Sequence, residues 1–209
     1  MPLKHVIIVG AGPSGLLLSI LLAQHETANP FKITIFEQLP QLLRSHRAGF
    51  YGPPAVAELT RAGVIDEIRR RGYEPQTAAF AKLWDKERHE ATAEGSEVLA
   101  TVHLSKGRHP MPGLPQDRLA DLLLERVEAR QDVLTLRYST TVLEVQQDDG
   151  KAWVKVRYSD GSEEVVEGDY VVGCDGARSI VRKQLFGDDY PGFTWDSQVV
   201  ATDVRFRSL

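Results

Sequence analysis

The chain has 209 residues, 42% of them apolar and 26% charged, the balance of a globular protein that buries roughly 70% of its unfolded surface without disulfides or metal. Twenty-five Lys and Arg against 29 Asp and Glu leave a net charge of −4, which argues against nucleic acid as a general partner. One cysteine, Cys174, excludes a disulfide scaffold.

Val6 to Ala23 imitates a leader or membrane anchor, but Gly10, Gly12, Pro13 and Gly15 cut it into pieces far shorter than the roughly 20 residues of a spanning helix. No membrane partner is expected, and the expected location is the cytoplasm. His5–Gly10 reads instead as a buried parallel strand, Ser14–Gln24 as a helix and Lys32–Glu37 as a second strand, together a βαβ unit. Pro53–Arg61 and Val64–Arg71 follow as short helices, then strands at Phe80–Asp85 and Val98–Leu104. Gln116–Arg130 is the clearest helix, with Leu119, Leu122, Leu123 and Val127 at three- and four-residue steps. From Val133 the pattern alternates: Val133–Tyr138, Thr141–Gln147, Ala152–Tyr158 and Glu163–Glu167 read as a run of strands turned at Asp149-Gly150 and Asp160-Gly161. Asp169–Cys174 is a buried-type strand, Ser179–Phe186 a short helix and Gln198–Phe206 a further strand.

Gly10-Ala11-Gly12-Pro13-Ser14-Gly15 fits G-x-G-x-x-G between the first strand and the first helix. In this pattern Gly10 permits the tight turn, Gly12 lets backbone approach a pyrophosphate, and Gly15 lets helix and sheet pack closely. The amides around Ser14 and the helix dipole then hold negative charge. Glu37, 22 residues past Gly15 at the end of the second strand, is placed to accept hydrogen bonds from both ribose hydroxyls and disfavours a 2′-phosphate. The motif alone does not separate NAD from FAD.

Three further segments carry a family resemblance. Arg47-Ala48-Gly49 lies ten residues past Glu37, Leu114-Pro115-Gln116-Asp117-Arg118-Leu119 opens the long helix, and Asp175-Gly176-Ala177-Arg178-Ser179 follows the strand at 169–174. In order and spacing the chain resembles the FAD-dependent aromatic hydroxylases, the para-hydroxybenzoate hydroxylase-like monooxygenases, from about Pro2 to Phe206. The resemblance implies an α/β fold, a Rossmann-like FAD-binding domain of the glutathione reductase type with an antiparallel β meander and the start of a substrate-domain sheet. It implies a cofactor domain over 1–187, with an insertion at about 78–108 contributing to the substrate domain, whose beginning is 188–209. It implies FAD as cofactor, NAD(P)H as reductant, and O2 plus an aromatic or polyketide-like small molecule as substrates. Gly10, Gly12, Ser14, Gly15, Glu37, Arg47, Arg118, Asp175 and Gly176 are the cofactor-binding candidates. No catalytic side chain is assigned, because the cofactor carries the chemistry.

The family's second flavin fingerprint, a strand running into Gly-Asp at a helix start, has no counterpart here. Gly168-Asp169 opens a strand and Gly187-Asp188 follows a helix. The chain therefore reads as the N-terminal portion of a hydroxylase. The alternatives are a catalytically silent nucleotide-binding fragment that needs a partner chain or a missing C-terminal half, and an NAD-dependent dehydrogenase. The six histidines show no metal-ligand spacing, Cys174 reads as a buried small hydrophobe, and Arg178 and Arg182 read as exposed neighbours on one helix face.

Overall fold

A computed structural model describes residues 4–24, 31–44, 49–82, 84–85, 90–91, 97–103, 111–187, 190–193 and 195–197. The chain forms two compact units, one of residues 1–47 with 116–209, the other of residues 48–115. Chain order begins with β1 (His5–Val9), α1 (Pro13–Ala23) and β2 (Lys32–Phe36). The second unit follows, with α2 (Pro53–Arg61), α3 (Ile65–Arg71), β3 (Thr77–Lys82), β4 (Trp84–Asp85), β5 (Glu90–Ala91) and β6 (Glu97–His103). The chain then returns to the first unit through α4 (Gln116–Glu128), β7 (Leu134–Arg137), β8 (Thr141–Gln147), β9 (Ala152–Arg157), β10 (Glu163–Gly168), β11 (Tyr170–Gly173) and α5 (Ile180–Phe186).

The first unit is layered. A parallel sheet of order β11-β1-β2-β7 carries side chains on both faces, and a three-stranded antiparallel sheet of order β10-β9-β8 lies beside it. Strand alternation puts Ile7, Val9 and Phe36 on one face, where they pack with Val142, Val154, Val156 and Val181. Val6, Ile8, Ile33 and Ile35 take the other face and are buried under the helical layer of α1 and α4, whose Leu16, Ile20, Leu119, Leu122 and Leu123 are buried with them. A strand buried on both sides has no polar face, which is why β1 reads as an apolar run from Val6 to Val9 and Thr34 is the one polar residue among the four buried ones of β2.

Two expectations change, and the Asp149-Gly150 turn between β8 and β9 stands where it was expected. The segment 133–138 alternates like a meander strand, yet β7 pairs parallel with β2, Ile33 opposite Leu134 and Phe36 opposite Arg137. It is the sheet's edge, so only one residue in two is covered, and an edge strand of a parallel sheet then carries the alternation of an antiparallel one. The strand expected at Phe80–Asp85 is two elements: β3 starts earlier and pairs with β6, with a register shift between Phe80 and Ala81, and β4 pairs with β5. The first hairpin turn is held by the residue before Asp149: the carboxylate of Asp148 accepts from the N–H groups of Gly150 and Lys151, both at 2.8 Å. The strand expected at Gln198–Phe206 lies outside the described residues.

In the second unit, Leu59, Val64, Ile65 and Ile68 bury the inner sides of α2 and α3. Gly113 bridges to both Phe50 and Tyr73, whose rings meet edge to face at 5.2 Å. Among the described residues no helix is long and apolar enough to cross a membrane.

Candidate functional site

The first unit opens a cleft of about 930 Å³ beyond the carboxyl ends of β1, β2 and β11, the place where open parallel sheets bind ligands. Gly10 leaves β1 with φ +100, its N–H donating to the Phe36 carbonyl at 2.8 Å. A β-carbon there would sit 2.6 Å from the Cys174 carbonyl oxygen, and one on Gly15 would sit 2.0 Å from the Gly10 carbonyl oxygen. Both glycines are therefore demanded by the chain's own packing. Gly12 is different: a β-carbon on it would meet no atom within 4 Å, and it lines the cleft. The space that a side chain would fill belongs to the cleft.

Gly12 also caps α1, which has no side-chain cap and no acidic residue in its first turn. The positive end of an 11-residue helix thus faces the cleft uncompensated, next to Ser14. Across from it, Glu37 Oε2 accepts from the Ala11 N–H and Oε1 from the Leu39 N–H, both at 2.9 Å. A carboxylate has about four lone-pair sites, so one remains on each oxygen for a diol while the backbone bonds fix the orientation. The wall after β2 is fastened twice more. Ser139 and Thr140 donate their N–H groups to the carbonyls of Leu39 and Glu37 at 3.0 and 2.9 Å. Arg44 forms a two-pronged ion pair with Asp121 of α4 at 2.9 and 3.0 Å.

Asp175 lines the cleft, but its carboxylate is engaged by the start of α5. Oδ1 accepts from Ser179 Oγ at 2.6 Å, and Oδ2 from the N–H groups of Ile180 and Val181 at 2.6 and 3.3 Å. Ser179 Oγ in turn accepts from the Arg182 N–H at 3.0 Å. What reaches the cleft is the Gly176 turn, at φ +78 with open space where a β-carbon would be. The two arginines here do not share a helix face. Arg178 precedes α5 and lines the cleft, whereas Arg182 donates to the Ala177 carbonyl at 3.0 Å and lies over the Tyr190 ring at 4.9 Å. Cys174 is half-buried, and burial, with the charge of Asp175 second, raises its thiol pKa above the ordinary value.

The cleft thus brings together Gly10, Gly12, Ser14, Glu37, Asp175 and Gly176, with Gly15 packed behind Gly10. Arg118 is exposed on α4 and outside the lining, where Gln116 and Ala120 stand instead. Helical spacing explains this: residues 116 and 120, four apart, share a face, and 118 is turned from it. Gln116 lies in the segment 114–119, and its four-residue spacing from Ala120 is the signal that identifies it. Arg47 lies outside the described residues. Asp169, a member of a rejected Gly-Asp pair, is at the other end of β1, where its carboxylate accepts from the His5 N–H at 2.6 Å. Among the described residues no cluster of three or more His, Cys, Asp or Glu could hold a metal ion. An open glycine cradle, a bare helix N-terminus and an oriented carboxylate fit the adenosine diphosphate part of a dinucleotide.

Residues 4–209 match the family described as FAD binding domain. The chain is 33% identical to 6-hydroxy-3-succinoylpyridine 3-monooxygenase of Pseudomonas putida, over 97% of this chain and 49% of that protein. It is 30% identical to para-nitrophenol 4-monooxygenase of a Pseudomonas species, over 98% of this chain and 47% of that protein. Among solved structures, p-nitrophenol 4-monooxygenase from Pseudomonas putida superposes with a TM-score of 0.75 at 26% identity, over 93% of this chain and 46% of that one. The chain spans about half the length of the curated relatives it matches.

Proposed function

The chain belongs to the FAD binding domain family, and from that premise we propose that it is the adenosine-diphosphate-holding portion of a flavin-dependent monooxygenase acting on an aromatic or polyketide-like small molecule. The observation that carries the reading is the open space in front of Gly12, faced by the uncompensated end of α1 and by Glu37. In this reading the amides around Ser14 bind the pyrophosphate, and Glu37 orients the ribose through its free lone pairs. Gly176 lets the turn after β11 approach the cofactor, and Asp175 holds that turn by capping α5. Gln116 joins them from α4, while Arg47 and Arg118 are assigned to the phosphates by resemblance alone. Bound FAD would supply the redox and oxygen-activating chemistry, with NAD(P)H as reductant and O2 as co-substrate; the protein's part is to bind, orient and exclude water. The cytoplasm supplies that reductant and is the proposed location.

Half-length coverage of the relatives favours a second statement: turnover needs a C-terminal half or a partner chain, and the 209 residues alone bind without oxygenating. Titrating the purified chain with FAD tests both. Stoichiometric yellow complex that ADP displaces, with no substrate-stimulated NAD(P)H oxidation, is expected. Absence of FAD and ADP binding overturns the cofactor reading.

A further inference from the structure

Among the described residues, ion pairs are local in the chain or join neighbouring strands, with one exception. Those of Arg61, Arg69, Arg70, Arg71 and Arg130 reach partners within five residues, and those of Lys151 and Lys155 cross the β9–β10 hairpin. Arg44–Asp121 spans 77 residues and ties an irregular segment to a helix. Its place is as distinctive as its reach. Arg44 follows Leu43 and Asp121 follows Ala120, and both Leu43 and Ala120 line the cofactor cleft. The two sides of the cleft are anchored unequally. Ala120 and Asp121 ride on α4, which is fixed by its buried Leu119, Leu122 and Leu123. The facing segment is hydrogen-bonded at Glu37 and Leu39, but residues 40–44 form no backbone hydrogen bond with other described residues, and Leu42 alone among them is buried. Leu43 lines the cleft although it is 59% exposed.

We propose that the Arg44–Asp121 pair is a clasp that holds the Leu39–Leu43 wall against α4 and slows release of a dinucleotide bound in the cleft. Arg44 is a positioning residue in this account: it grips Asp121, and Leu43, carried next to it, covers the ligand. The bond geometry suits the task. Two parallel prongs, at 2.9 and 3.0 Å, resist swivelling as well as separation, so the free end of the segment keeps one orientation. The pair's exposure, 61% at Arg44 and 36% at Asp121, makes it responsive to ionic strength, since salt screens exposed charges over about 10 Å at 0.1 M. Retention of the cofactor is therefore weakened by salt through Arg44, in addition to any screening of the diphosphate itself. The inference rests on the reading of the cleft as a cofactor site and adds the residue pair that governs how long the cofactor stays.

The test is the rate at which prebound FAD leaves the 209-residue chain on mixing with excess ADP, followed by flavin fluorescence. It compares wild type, Arg44→Ala, and the charge swap that combines Arg44→Asp with Asp121→Arg. At low ionic strength the expected dissociation rate of Arg44→Ala is about fivefold that of wild type, the full strength of a well-formed exposed pair, and the swap returns to within about twofold of wild type. At about 1 M salt, where charges are screened within about 3 Å, the rates of wild type and Arg44→Ala converge. Equal rates at low salt overturn the proposal. So does a difference that persists at high salt, or a swap that fails to restore retention, since either assigns the effect to the packing of the arginine and not to the pair. A wild-type chain that binds no FAD sinks the cofactor reading and the clasp with it, whereas FAD binding whose release is indifferent to Arg44 sinks the clasp only.

Discussion

The parallel sheet of the first unit and the β3–β6 ribbon of the second treat their apolar residues in opposite ways. In the first, Ile7, Ile8, Ile33 and Ile35 are fully buried, and apolar side chains pack on each face of the parallel sheet. In the second, the β3–β6 ribbon exposes Phe80, Val98, Leu99 and Val102, with Phe80 64% exposed. Pairing sets Phe80 opposite Ala100 and Ala78 opposite Val102, so one face of the ribbon is almost wholly apolar. A two-stranded ribbon is marginal by itself, and an apolar face of this kind marks a surface made to be covered. The lesson is that the cofactor cleft is built wholly from residues of the first unit, whereas the ribbon of the second leaves its apolar side chains exposed among the described residues. That difference matches the proposed division between holding a cofactor and enclosing a substrate.

Substitutions at matched sites sharpen the contrast. Gly15→Val forces a β-carbon onto the Gly10 carbonyl and should cost about 3 kcal/mol or more, read as loss of the cooperative unfolding transition. Phe80→Ser should leave stability within about 0.5 kcal/mol and raise solubility; a cost like that of Gly15→Val would mean the ribbon is packed after all. Asp175→Ala removes the acceptor for Ser179 Oγ and two N–H groups, so α5 should lose about 1–2 kcal/mol in urea unfolding.

A smaller effect separates the ends of the sheet. His5 joins Glu167 and Thr34, its Nδ1 2.8 Å from the Glu167 carbonyl oxygen and its Nε2 2.8 Å from Thr34 Oγ1, and burial lowers its pKa below 6.5. The unfolded chain then takes up a proton at a higher pH than the folded one, so this contribution is intact above about pH 6.5 and declines as pH falls toward the folded value. His5→Gln should flatten that part of the stability profile; an unchanged slope assigns it elsewhere. Smallest of all, the Arg44–Asp121 pair is exposed, with Arg44 at 61%, and Arg44→Ala should shift stability by less than about 1 kcal/mol, less still in high salt.

Much of this was legible in the chain because the strongest signals were local. The glycines of 10–15 fix a turn, Glu37 ends a strand, and Leu119, Leu122, Leu123 and Val127 mark α4 by their period. What was not legible depended on tertiary neighbours. Edge position gave β7 the look of a meander strand, and β3 begins in the small residues Thr77, Ala78 and Ala79, ahead of the first large apolar side chain at Phe80. The choice of Gln116 over Arg118 as the cleft residue needed the face of α4, not its residue types. Asp175 was legible as a site residue, but its engagement by α5 was not, since an Asp-Gly pair reads the same in a ligand turn and in a helix cap.

The central claim is that the space before Gly12 exists to admit a diphosphate. Calorimetric titration of ADP into the wild-type chain and into Gly12→Val tests it most directly, because the added side chain meets open space and should leave the fold intact. The account predicts a melting temperature within a few degrees of wild type and ADP affinity reduced at least 100-fold. Equal affinity for ADP in the two proteins would contradict it.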